Sequence, residues 1–231
     1  MGLRELLFMD TPVPSLRGRK VLITGAASGI GRATAQAAAA RGAELVLTDL
    51  HADQLDEVVA AITAADGTVL YHVAGDVSDF DWVAGFARQV DAEVGVMDVV
   101  MNIAGISAWG TVENLEHRHW RKLVDVNLMG PIHIIECFVP QMVRRGEGGH
   151  LVNVSSAAGL LALPWHAAYS ASKFGLRGVS EVLRFDLKRH GIAVHLVVPG
   201  AVRTPLVQSV EVDQRNYQDP LPLLLQQLYT P

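Results

Sequence analysis

Six short apolar runs, rich in β-branched residues, recur along the chain, and longer segments with helical spacing separate them. Val21 to Thr24, Glu44 to Thr48, Val69 to Val73, Met97 to Met101, Leu151 to Val154 and Ile192 to Val197 read as strands. Residues 29–41, 52–65, 79–93, 116–145 and 167–189 read as helices. Ser78 is placed to cap the third helix, and Pro131 falls where it could bend the fourth. Strands that are apolar on both faces belong in a parallel sheet covered on both sides. Right-handed crossovers then favour one fold class: a single-domain α/β protein with a doubly wound, Rossmann-type parallel sheet. The expected organisation is an arm at 1–17, a main domain at 18–205 and a proline-containing tail at 206–231.

Composition removes several classes of function. Half of the 231 residues are hydrophobic and 19% are charged, enough apolar surface for a real core. The net charge of −5 and the lack of a basic stripe argue against a nucleic-acid partner. A single cysteine, Cys137, excludes an intrachain disulfide framework and reads as a packed small residue. No apolar run reaches the roughly 18 residues of a membrane span, and Met1 to Phe8 does not read as a signal peptide. A cytoplasmic location is the expectation. His117 and His119 are two apart and cannot share a helical face, so no metal site is expected. Trp120, Leu123, Val124 and Leu128 fit a buried helical stripe.

The turn Thr24-Gly25-Ala26-Ala27-Ser28-Gly29-Ile30-Gly31 follows the first strand and opens a helix. In that context Gly25 allows the tight turn, Gly29 lets a pyrophosphate approach the backbone, and Gly31 permits close helix–sheet packing. The N–H groups and dipole of the helix then face the phosphates. Asp49 ends the second strand, where a carboxylate accepts from a ribose 2′-hydroxyl and repels a 2′-phosphate. It could also cap the next helix. Leu50 follows it, and no Arg or Lys precedes Gly29 in the turn, so NAD is favoured over NADP.

With these motifs the chain resembles the short-chain dehydrogenase/reductase family, of the single-domain type, over about residues 18–205. Asp76-Val77 matches the acidic position that meets adenine in relatives. Asn102-Ile103-Ala104-Gly105 matches the family's NNAG, with Met101 in place of the first Asn. Asn127 matches the helix-bending member of the catalytic tetrad, and Tyr169-Ser170-Ala171-Ser172-Lys173 is the YxxxK signature. Tyr169 and Ser156 are 13 apart, the family's spacing, which selects Ser156 over Ser155. Pro199-Gly200-Ala201-Val202-Arg203-Thr204 matches PGxVxT. The resemblance implies that Gly25, Ser28, Gly29, Ile30, Gly31, Asp49, Asp76, Val77, Asn102, Ala104, Gly105, Tyr169, Lys173, Pro199, Gly200, Val202 and Thr204 bind the cofactor. It also implies a homodimer or homotetramer, pairing the helices at 116–145 and 167–189. Relatives run longer at the C-terminus and carry a seventh strand, which is expected to be missing or altered here.

A phenol is a poor base at neutral pH unless a cation lowers its pKa. Tyr169 and Lys173 lie four apart and share a helical face. The expected chemistry is hydride transfer between nicotinamide and a carbinol, with Tyr169 as general base or acid. Lys173 would lower the Tyr169 pKa and hold the ribose, and Ser156 would hold the substrate oxygen. By resemblance, Asn127 would serve a proton relay. Taken singly, each residue has an ordinary role: a packed Tyr, a solvated Lys, a Ser at a strand end. Segments around Ile106, Ser107 and Trp109, from Ala157 to His166, and around Leu206 and Val207 are mostly apolar. They point to a hydrophobic secondary alcohol or ketone, steroid-, terpene- or lipid-like, or else to loop packing or a dimer contact. A non-catalytic NAD(H)-binding or interaction protein is the alternative, with epimerisation or dehydration ranked after it.

Overall fold

The structure is a computed structural model and describes residues 15–208. Most of the expected arm and tail, including the apolar stretch Asp219 to Tyr229, lies outside the described residues. Six strands form one parallel sheet: β1 (Lys20–Thr24), β2 (Glu44–Asp49), β3 (Thr68–Ala74), β4 (Val99–Asn102), β5 (Gly149–Val154) and β6 (Ile192–Val197). Their order is β3-β2-β1-β4-β5-β6. The chain therefore winds outward from β1 in one direction and from β4 in the other. At that switch the connections leave the two strands on opposite sides and open a crevice beyond their carboxyl ends. Register across it pairs Ile23 with Met101, and β2 runs beside β1 with Thr24 opposite Thr48.

The period-2 alternation of the strands divides the core. Val21, Ile23, Leu45 and Leu47 pack on one face with Ala35 and Ala38 of α1 (Gly29–Ala39) and Leu55, Val58 and Ile62 of α2 (Ala52–Ala64). Leu22, Val46, Val100 and Leu151 pack on the other face, where α3 (Phe80–Glu93) contributes Val83, Phe86 and Val90. Next to it lies a continuous helical run made of α4 (His117–Val124), a π-helical turn (Asp125–Met129) and α5 (Gly130–Arg145). By length and mean hydropathy, 1.3 over its best 18 residues, this run would pass for a membrane span. Its apolar residues Ile134, Phe138, Val139 and Met142 are instead buried in the core. A smaller cluster joins Leu123 of α4, Ala158 of a 3-10 turn (Ala157–Gly159), and Ala168 and Tyr169 of α6 (Ala167–Asp186).

Local details correct three expectations. Asp79, not Ser78, caps α3, accepting from the Trp82 N–H at 3.1 Å, while Ser78 donates to Asp76. Pro131 sits in the first turn of α5 and follows a π-helical turn rather than kinking an α-helix. A proline there has no N–H to offer the preceding turn, so the helix is already re-registered when it arrives. Of the stripe predicted on the fourth helix, Leu123 is fully buried, while Trp120, Val124 and Leu128 are half-buried.

Candidate active site

The glycine turn closes for steric reasons that need all three glycines. Gly25 has φ +70°, and a Cβ there would stand 2.7 Å from the Ala104 Cα. A Cβ on Gly31 would overlap the Gly25 carbonyl oxygen. Gly29, at φ +49°, faces Thr204, which brings the segment after β6 over the turn. Two bonds tie the turn to β2: the Ala26 N–H to the Thr48 carbonyl (3.1 Å) and the Ala27 N–H to an Asp49 carboxylate oxygen (2.9 Å). The Thr24 hydroxyl oxygen accepts from the N–H groups of Ile103 and Ala104, both at 3.1 Å, and so ties β1 to the end of β4. Ser28, at the N-cap of α1, makes no side-chain capping bond, and no acidic residue stands in the first turn. The first N–H groups of α1 are thus available to a phosphate.

Asp49 uses its second oxygen on the His51 N–H at 3.1 Å. His51, not Asp49, is the N-cap of α2, so the carboxylate stabilises the turn and the helix start together. Asp49, Leu50, His51, Gln54, Gly75 and Asp76 line one end of the cleft, and none of them is Arg or Lys. A Cβ on Gly75 would collide with the Trp82 indole, which explains the glycine directly after β3.

The other end holds the catalytic candidates. Tyr169 and Lys173 share a face of α6 and are 9% and 5% exposed. The Lys173 ammonium donates to the Val154 carbonyl at the end of β5 (3.0 Å) and lies 5.8 Å from the centre of the Tyr169 ring. Burial pushes its pKa down from 10.5 to about 8, so it is still mostly charged at pH 7. The two neighbouring serines both line the cleft but differ in their bonds. Ser155 is 4% exposed and donates to the Lys173 carbonyl at 3.0 Å, which fixes α6 on β5. Ser156 lines the cleft, where its oxygen accepts from the Ala158 N–H at 3.2 Å.

Asn127 sits in the π-helical turn with no exposed surface. Its carbonyl oxygen accepts from the Ile106 N–H (2.8 Å), and its amide donates to the Ile106 carbonyl (2.9 Å) and the Ser172 hydroxyl (3.2 Å). Ser172 in turn donates to the Tyr169 carbonyl at 2.7 Å. Asn127 therefore locks the loop after β4 to α6, and Gly105 makes room for it: a Cβ there would lie 3.1 Å from the Asn127 amide oxygen.

One cleft of about 600 Å³ joins both ends, and Gly25, Ser28, Gly29, Ile30, Gly31, Asp49, Asp76, Val77, Ala104, Gly105, Ser156, Tyr169, Lys173, Pro199, Gly200, Val202 and Thr204 all line it. Asn102 departs from expectation: it is buried away from the cleft, and its amide donates to Asn153 at 2.9 Å, bracing β4 on β5. From the Ala157 to His166 stretch Ala157, Ala158, Leu163 and His166 reach the cleft, while Leu160 and Leu161 are exposed. Gln54, Gly75, Lys122 and Val126 also line it, and no local sequence motif marks them. Cys137 is half-buried in the core, and burial raises its thiol pKa, which suits packing and not nucleophilic attack. Among the described residues no group of three or more His, Cys, Asp or Glu could hold a metal ion.

Comparison with known proteins agrees with this geometry. A family model described as short chain dehydrogenase matches residues 19–215. The "Probable oxidoreductase EphD" of Mycobacterium tuberculosis is 40% identical over 189 residues, 82% of this chain. The match covers 32% of EphD, so the chain spans about a third of that relative's length. The trans-4-hydroxycyclohexanecarboxylate dehydrogenase of Sinomonas cyclohexanicum is 36% identical over 196 residues, 82% of this chain and 74% of that protein. Among solved structures, a short chain dehydrogenase/reductase from Burkholderia phymatum in complex with NAD superposes with a TM-score of 0.85. It is 30% identical and covers 95% of this chain and 82% of its own. A metagenomic short-chain oxidoreductase in complex with NADP gives a TM-score of 0.76 at 38% identity, covering 82% of this chain and 86% of its own.

Proposed function

Because the chain belongs to the short-chain dehydrogenase/reductase family, we propose that it is an NAD-dependent oxidoreductase acting on a hydrophobic secondary alcohol or ketone. The observation that carries this reading is the cleft itself, which joins a turn that only glycines can close to Tyr169, Lys173 and Ser156. The residues fit a dinucleotide: the open N-terminus of α1 would take the pyrophosphate, Asp49 the adenosine ribose, and Lys173 the nicotinamide ribose. The preference for NAD rests on Asp49, with no Arg or Lys beside it in the cleft. When bound, the nicotinamide supplies the hydride acceptor or donor.

The chain's own groups would handle the proton. Ser156 holds the substrate oxygen and steadies charge as it develops. Tyr169 takes the carbinol proton in oxidation and returns it in reduction, and the Lys173 cation lowers its pKa. The Asn127 side chain is already committed to Ile106 and Ser172. Pro131 has no N–H for the carbonyls of Asn127 or Val126, four and five residues earlier. A main-chain carbonyl of this turn, and not the Asn127 amide, is therefore the group to hold a relay water. Ile106, Ala158 and Leu163 give the substrate end its apolar lining, and a relative acting on a hydroxylated ring supports a cyclic carbinol. The exposed Phe174, Val182 and Phe185 on α6 support a dimer through that helix.

Tyr169→Phe tests the assignment. NADH affinity, read by fluorescence titration, should stay within about twofold, while turnover of cyclic alcohols falls by at least 10²-fold. Unchanged turnover would sink the role of Tyr169. Tight NADH binding by the wild type without turnover of any alcohol or ketone would favour a non-catalytic binder.

A further inference from the structure

The substrate end of the cleft carries two polar groups that the hydride-transfer chemistry does not use. His166 precedes α6, three residues before Tyr169, and is 3% exposed yet lines the cleft. Its Nδ1 lies 2.6 Å from the Pro164 carbonyl. A carbonyl can only accept, so Nδ1 carries the proton and, in the neutral ring, Nε2 is left as an acceptor. Burial lowers the His166 pKa and so favours this neutral form. No protein group among the described residues hydrogen-bonds Nε2. The ring is held firmly: it packs on Trp109 at 4.6 Å between centroids and edge-on to Tyr169 at 6.2 Å. Trp165, immediately before it, adopts φ +62°, unusual for a bulky residue, and its carbonyl accepts from the Gly110 N–H at 2.9 Å. That bond joins the His166 turn to the loop after β4, where the Ser107 hydroxyl also lines the cleft, buried and without a hydrogen-bond partner.

We infer that His166 Nε2 and the Ser107 hydroxyl form a second polar subsite, which binds a hydroxyl group of the substrate other than the one at Tyr169. The inference rests on the oxidoreductase reading for what happens at Tyr169, but not for the subsite itself. A wholly apolar alcohol leaves both buried groups unmatched, and a site with unmatched polar groups rejects the ligand that lacks their partner. The substrate class is therefore a diol or hydroxyketone on an apolar frame.

The test compares cyclohexane-1,4-diol with cyclohexanol, titrated calorimetrically into the full chain with and without saturating NADH, where no oxidation can occur. The wild type should bind the diol about tenfold more tightly, the worth of one to two neutral hydrogen bonds. His166→Asn keeps an N–H near the Pro164 carbonyl and removes the acceptor at Nε2. It should bring the two affinities within about twofold while barely moving that of cyclohexanol. Ser107→Ala, which disturbs no packing ring, should reduce the diol advantage in the same direction and carries the test if His166→Asn misfolds. Equal binding of diol and cyclohexanol to the wild type, no detectable diol binding, or a diol advantage that survives both substitutions would overturn the subsite. NAD-dependent oxidation of the two alcohols is measured in parallel. A diol preference in binding with no turnover would leave the subsite standing and sink the oxidoreductase reading.

Discussion

Lys173→Met puts the electrostatics of the site to a quantitative test. The Lys173 ammonium is 5% exposed, bonds the Val154 carbonyl, and has its pKa pushed down from 10.5 to about 8 by burial. A folded pKa below the unfolded one means that the unfolded chain holds more protons between pH 8 and 10.5. Stability therefore rises with pH across that window. The gap corresponds to about 3 kcal/mol against the folded state at pH 7, of which about 2 kcal/mol is recovered by pH 9.5. Met has similar reach and no charge, so the variant lacks this dependence. Urea unfolding of the cofactor-free wild type and variant at pH 7 and 9.5 gives two stability differences. Their change isolates the ionisation of Lys173 from the pH-independent packing change. We expect the wild type to gain about 2 kcal/mol on the variant as pH rises. A difference that stays constant to about 0.5 kcal/mol would refute a desolvated ammonium. The same substitution should lower turnover by at least 10²-fold, because Tyr169 loses its cation.

The two serines should part company: Ser156→Ala loses about 10²-fold in kcat with little change in Tm. Ser155→Ala, which removes the bond from β5 to the Lys173 carbonyl of α6, destabilises by about 1 kcal/mol in urea unfolding. Asp49→Ser should shift the ratio of NADPH to NADH affinity by at least tenfold toward NADPH, with about 1 kcal/mol of stability lost from the Ala27 and His51 bonds. Gly31→Ala should abolish NADH binding in a fluorescence titration, since its Cβ would overlap the Gly25 carbonyl oxygen and force the turn open.

Strands and helices were legible because their periods are local. Val21 to Thr24 and Leu151 to Val154 fall within β1 and β5, and the predicted first residues of α1, α2 and α6 are within a residue of those found. The choice of Ser156 over Ser155 came from spacing to Tyr169. Both serines line the cleft, and their bonds differ: the Ser155 hydroxyl donates to the Lys173 carbonyl, while the Ser156 oxygen accepts from the Ala158 N–H. The bond of Asn102 was not legible, because its partner Asn153 is 51 residues away on β5. The Asp79 cap was missed for a different reason: Asp76, Ser78 and Asp79, within four positions, all offer capping oxygens, and backbone direction selects among them.

The glycine pattern, the strand runs and the spacing of Tyr169 to Lys173 state which local conformations the backbone can adopt, and neighbouring residues suffice to dictate that. The roles of single polar atoms are set otherwise. Lys173 meets Val154, Asn127 meets Ile106 and Ser172, and Asp49 meets Ala27, each across 19 or more residues of chain. A hydrogen bond forms only within a few tenths of an ångström of its ideal length. Which polar groups achieve that is decided by how the helices settle on the sheet, a sum of many apolar contacts with no local signature.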